Sequence, residues 1–85
     1  MTRRYELRYT PKFEKCFRQL GEDIRLRVAP EILRLETDPI VGKSLHGDLK
    51  GFRLLRIGDF RFIYDISSNQ VVLHRIEHRR RVYKQ

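Results

Sequence analysis

The chain has 85 residues, enough for one domain (1–85) whose folding hides only about 60–65% of the surface an unfolded chain exposes, so a shallow surface groove is favoured over a deep enclosed active site. Nineteen Lys and Arg stand against eleven Asp and Glu, a formal charge of +8, and 14 of the nineteen are Arg. A charged thermophilic surface would explain the quantity of charge but not its sign; an excess of guanidinium groups, which clamp phosphate and stack on bases, points to nucleic acid or an acidic protein partner.

Tyr5, Leu7 and Tyr9 alternate with Glu6 and Arg8, the pattern of a short half-buried strand. Thr10-Pro11 is a helix entry signal, a capping hydroxyl followed by a residue whose missing N–H costs nothing in the first turn. Phe13, Cys16, Phe17 and Leu20 then mark one helical face, and Gly21 is expected to end the helix in the left-handed conformation. Cys16 is the only cysteine, which fits a reducing compartment, and its place on the apolar face reads as a buried thiol. A second helix is predicted from about Glu22 to Glu36 with Ile24, Val28, Ile32 and Leu35 inward, and with a kink or restart at Pro30. Asp38-Pro39 closes it.

Residues 40–51 hold three glycines and read as a loop, long enough to be functional. Three strands follow, 52–57, 60–66 and 70–77, turned at Gly58-Asp59 and at Ser67-Ser68-Asn69. The order β-α-α-β-β-β predicts an α+β domain, a helical hairpin covering one face of a mainly antiparallel four-stranded sheet and leaving the other face open. Phe60, Phe62, Tyr64 and Ile66 fall on one side of their strand and are assigned to the core; Arg61 then points to the open face. A β-bulge at Leu54-Leu55 would bring Arg53 and Arg56 to the same side. For one arginine, a solvated position over an apolar surface is the simpler reading; for the cluster, a phosphate-binding surface is.

Leu45-His46-Gly47, Arg56-Ile57-Gly58-Asp59-Phe60-Arg61, Tyr64, His78-Arg79 and Val82-Tyr83 together resemble the RelE/ParE superfamily of type II toxin–antitoxin toxins. The order of elements matches that family's fold, so the resemblance spans nearly the whole chain. It implies one of two activities. RelE-like members cut mRNA in the ribosomal A site, using the RNA's own 2′-hydroxyl as nucleophile, with no metal or cofactor; ParE-like members inhibit DNA gyrase without nuclease chemistry. A catalytically degenerate RNA-binding module is a third possibility. In the nuclease case the catalytic set carried over is Arg61, Arg56, Arg79 and Tyr83, with Lys50, Arg53, His78, Arg80, Arg81 and Lys84 contacting RNA. The RelE-type nuclease carries lysines on the strand that here reads Phe52-Arg53-Leu54-Leu55, and guanidinium is a poor proton donor, so His78 is weighed as a substitute and His74 is read as structural. No segment approaches the length of a membrane span and the N-terminus lacks a signal peptide's apolar core, so a cytoplasmic protein with no membrane partner is expected. In the nuclease case the resemblance implies action on ribosome and mRNA. Its cognate acidic antitoxin would bind it in a heteromeric complex, 2:2 being one stoichiometry.

Overall fold

A computed structural model describes residues 4–78. Strand β1 (Glu6–Tyr9) leads directly into helix α1 (Pro11–Gln19). The Thr10 hydroxyl accepts from the Phe13 amide at 3.1 Å and donates to the His74 carbonyl at 2.9 Å, so one side chain starts the helix and ties it to the sheet. Helix α2 (Glu22–Leu33) follows. Gly21 does not take the expected left-handed conformation: its φ is −64°, and it is the N-cap of α2. The last carbonyls of α1 are held instead by the Arg25 guanidinium, which donates to Leu20 O and, at 3.2 Å, to Arg18 O.

Nor does α2 restart at Pro30. The helix runs through it to Leu33 and tightens only afterwards, into a 3₁₀ turn at Arg34–Glu36. The carbonyl that Pro30 leaves without a partner belongs to Leu26, which is 69% exposed, so water can take the missing donor's place. The inward face is as predicted, with Val28, Ile32 and Leu35 buried and Ile24 packed at the margin.

The predicted loop is partly ordered into the sheet. A 3₁₀ turn at Pro39–Val41 leads to a two-residue strand β2 (Lys43–Ser44), and another 3₁₀ turn at Gly47–Leu49 precedes β3 (Phe52–Ile57). With β4 (Phe60–Ser67) and β5 (Gln70–His78) this makes five strands rather than four, in the order β1-β5-β4-β3-β2. All neighbours are antiparallel except β1 and β5, which run parallel from Glu6↔Gln70 to Tyr9↔Leu73. A strand of two residues is too short to show a period, which is why the sequence hides it.

The core lies where the helices meet the sheet. Phe62 and Tyr64 of β4 are fully buried between Leu55 and Ile57 of β3 and Val71 and Leu73 of β5, beneath Phe13, Val28, Ile32 and Leu35. Cys16 is only half-buried, because it sits on the flank of α1 beside a surface groove shared with Lys12, Gln19, Ile76 and His78.

The bulge is in a different strand from the one expected. β3 and β4 pair without interruption from Phe52↔Asp65 to Ile57↔Phe60, whereas β4 and β5 slip between Ile63↔Arg75 and Tyr64↔Leu73, leaving His74 as the extra residue. Leu54-Leu55 needs no bulge because the two side chains serve opposite faces: Leu55 enters the core, and Leu54 lies opposite Ile63 on the other side.

Candidate functional site

Strand alternation and register define the face turned away from the helices. β3 contributes Phe52, Leu54 and Arg56; β4 contributes Arg61, Ile63 and Asp65; β5 contributes Val72, Arg75 and Glu77. Residues directly opposite one another have Cβ atoms about 4.5–5.5 Å apart, so three rows cross the sheet. Arg56, Arg61 and Glu77 form one, Leu54, Ile63 and Arg75 the next, and Phe52, Asp65 and Val72 the third.

The first row is the unusual one. Arg56 and Arg61 face each other directly, an arrangement that costs stability unless an anion lies between or beside them. Glu77 stands on the other side of Arg61, and its Oε2 is 3.5 Å from Arg75 Nε. Three guanidinium groups and one carboxylate are thereby gathered at one end of the sheet. Beneath them Ile63 is only 4% exposed although it lies outside the helix-side core; long cationic side chains can cover such a residue with their aliphatic stems while their charged heads stay in water.

Further along the same face, the bulge turns His74 toward β4 and β3. Its Nε2 lies 3.5 Å from Asp65 Oδ1, and its ring meets the edge of Phe52 with centroids 5.1 Å apart. Both polar atoms are shut off from solvent, and at this separation neither makes a hydrogen bond. His74, expected to be structural, thus has an acidic neighbour that strand periodicity did not reveal.

A family model described as the ParE toxin of type II toxin–antitoxin systems, parDE, matches residues 7–83. The chain belongs to this family of toxins, within the RelE/ParE superfamily. No curated protein matches it. Among solved structures, the RelBE2 toxin–antitoxin complex of Mycobacterium tuberculosis is similar at 30% identity and a TM-score of 0.82, over 89% of this chain and 99% of that one. The isolated RelE toxin of E. coli shares the fold at 20% identity and a TM-score of 0.75, over 94% and 92% of the two chains. So does a chain of the chromosomal ParDE system of P. aeruginosa, at 14% identity and a TM-score of 0.69, over 91% and 98%.

The toxin's structure brings together only some of the residues singled out from sequence. Arg56 and Arg61 meet, as just described. Arg53 does not join them: with no bulge in β3 it pairs with Tyr64 on the helix side, where its Nη1 donates to Gly42 O at 2.8 Å and Ile40 O at 3.4 Å. It braces the segment before β2. Tyr64 holds the same segment, its hydroxyl donating to Pro39 O at 2.6 Å and accepting from the Gly42 amide at 3.0 Å. Burial pushes the Tyr64 phenol above its ordinary value, and the Asp38 charge adds to this, while the Gly42 amide and Arg53 pull the other way.

Lys50 is exposed just before β3, at the end of that strand remote from Arg56. His78 is on the opposite face from Arg61: it pairs with Phe60, ring centroids 4.8 Å apart, beside the Lys12–Cys16 groove. Arg79, Arg80, Arg81, Tyr83 and Lys84 lie outside the described residues. The residues missed were Arg75 and Glu77. Their face is set by the His74 bulge, and the run Leu73-His74-Arg75-Ile76 carries no polarity signal that gives its position away. Among the described residues no three His, Cys, Asp or Glu side chains are grouped to hold a metal ion, and no helix is long and apolar enough to cross a membrane.

Proposed function

We propose that this toxin is an endoribonuclease that cuts mRNA in the ribosomal A site and so blocks translation in the cytoplasm. The observation that carries the reading is the directly opposed pair Arg56 and Arg61, with Arg75 one row away on the same open face. Two like charges held face to face form a site for an anion, and a phosphodiester supplies one whose negative charge grows as its phosphorus is attacked. The 30% identity with the toxin–antitoxin complex RelBE2 supports the RelE-like branch. That complex, and those of E. coli RelBE and P. horikoshii RelE–RelB, support a cognate antitoxin here too, acidic and partly disordered, to complement a toxin of charge +8.

A second reading, a gyrase inhibitor without nuclease chemistry, is favoured by Phe52 and Leu54. They place apolar side chains on the open face, on the strand where the RelE-type nuclease carries lysines. Cell-free translation with the full chain, mapping mRNA 5′ ends by primer extension, separates the two. The nuclease reading expects new ends within translated codons, dependent on ribosomes and about 10²–10³-fold fewer for Arg61→Ala. Intact mRNA together with loss of gyrase supercoiling would establish the inhibitor instead.

A further inference from the structure

We propose that Glu77 is the proton acceptor in RNA cleavage, an assignment that rests on the nuclease reading above. The attacking 2′-hydroxyl must lose a proton, and arginine cannot take it, since guanidinium stays protonated in proteins. The acceptor must therefore be another group within reach of the phosphate held by Arg56 and Arg61. Three described carboxylates belong to the open face: Glu6, Asp65 and Glu77.

Glu6 lies on the outer strand β1, where it is 3.8 Å from Arg8 Nη1 and accepts from Gln70 Nε2 at 3.3 Å. Asp65 is four residues along β4 from Arg61, about 13 Å at the rise of a strand, and its Oδ1 is closed in beside His74. Glu77 alone of the three stands in the arginine row. It is directly opposite Arg61, its side chain is 32% exposed, and its sole described ion pair is the 3.5 Å contact with Arg75 Nε, on the same strand and face. A nucleotide whose phosphate bridges Arg56 and Arg61, with its ribose toward β5, presents its 2′-hydroxyl to this carboxylate.

The step balances without a co-reactant other than water. The 2′-oxygen gives its proton to Glu77 and forms a bond to phosphorus. The bond from phosphorus to the 5′-oxygen breaks, and the leaving oxygen takes a proton from water. The products are a 2′,3′-cyclic phosphate and a 5′-hydroxyl end, and Glu77 returns its proton to solvent. The same carboxylate opposes binding, because it sets a negative charge among cations facing a polyanion. Removing that charge therefore moves binding and chemistry in opposite directions, a signature that a merely structural glutamate lacks.

The test is single-turnover cleavage of mRNA on programmed ribosomes, with affinity for a short RNA measured alongside by fluorescence anisotropy. Glu77→Gln is expected to cut about 10²–10⁴-fold more slowly while binding RNA as tightly as the wild type or more so, and Glu77→Asp to recover part of the rate. Thermal melting checks that both variants fold, and the aspartate variant carries the test if the glutamine one does not. Wild-type cleavage with an unaffected Glu77→Gln overturns the assignment and leaves the nuclease reading standing. So does a rate loss matched by an equal loss of affinity. A wild-type chain that cuts nothing removes the nuclease reading and this assignment with it.

Discussion

At Gly42 both backbone polar groups find side-chain partners. Its amide reaches the Tyr64 hydroxyl and its carbonyl takes the Arg53 guanidinium, so two side chains of adjacent strands hold one short segment against the core. A β-carbon at this position would collide with Tyr64 Oη and come within 3.0 Å of the Leu54 carbonyl oxygen. Since φ at Gly42 is an ordinary −73°, the demand for glycine is one of space and not of conformation. Gly42→Ala is expected to destabilise the fold by about 1–3 kcal/mol, the cost of overpacking a filled site, read from the midpoint of denaturant unfolding. An unchanged midpoint would mean that the phenol moves aside freely. The sequence showed Tyr64 as a core residue, since it shares the aromatic period of β4. It did not show what Arg53 does, because a guanidinium that braces carbonyls and one that awaits phosphate look alike until the strand's phase is known.

Strand phase is decided at the scale of elements. The turn between β3 and β4 was legible because Gly58 precedes Asp59, and Gly58 has a φ of +59°, a positive angle at the first loop residue as a type II′ hairpin requires. The turn between β4 and β5 does the same job less comfortably: Ser68 takes a φ of +55°, the one described non-glycine residue with a positive φ. A side chain in that region costs about 1–2 kcal/mol, part of which glycine gives back as unfolded-chain entropy. Ser68→Gly is therefore expected to raise stability by about 0.5–1 kcal/mol, seen as a higher melting temperature with RNA binding unchanged. A lower melting temperature would show that the Ser68 side chain contributes more than its backbone costs. The bulge at His74 was not legible. Gln70 to His78 has apolar residues in both phases, so an inserted residue leaves no break in the pattern, and Glu77 was missed with it.

Over the whole molecule, the charge of +8 named a class of partner to look for, a polyanion or an acidic protein, without locating a site for it. Among the described residues the basic side chains are spread over both helices, the loop before β3 and both faces of the sheet, and it is the sheet register that brings Arg56, Arg61 and Arg75 to one end of the open face. If these three meet phosphates, the affinity for single-stranded RNA should fall with added salt at a slope of about −0.7 per contact, near −2 in a plot of log affinity against log salt. Replacing Arg61 with alanine should reduce that slope by about 0.7. A slope near zero would mean that RNA meets this face by stacking alone, or elsewhere.

The parallel pairing of β1 with β5 also bears on how the protein is made. Its first described strand pairs with the last described one, and the Thr10 hydroxyl that opens α1 donates to the carbonyl of His74. During synthesis the helices and the β3–β4 hairpin can form early, but β1 waits for a segment more than sixty residues behind it, a closure between distant parts of the chain that folds late and slowly. Until β5 has left the exit tunnel, neither Arg75 nor Glu77 has a place beside Arg61. On the nuclease reading, an unfinished chain would therefore emerge harmless to the machine producing it, and the arginine row would be complete only once β5 closes the sheet.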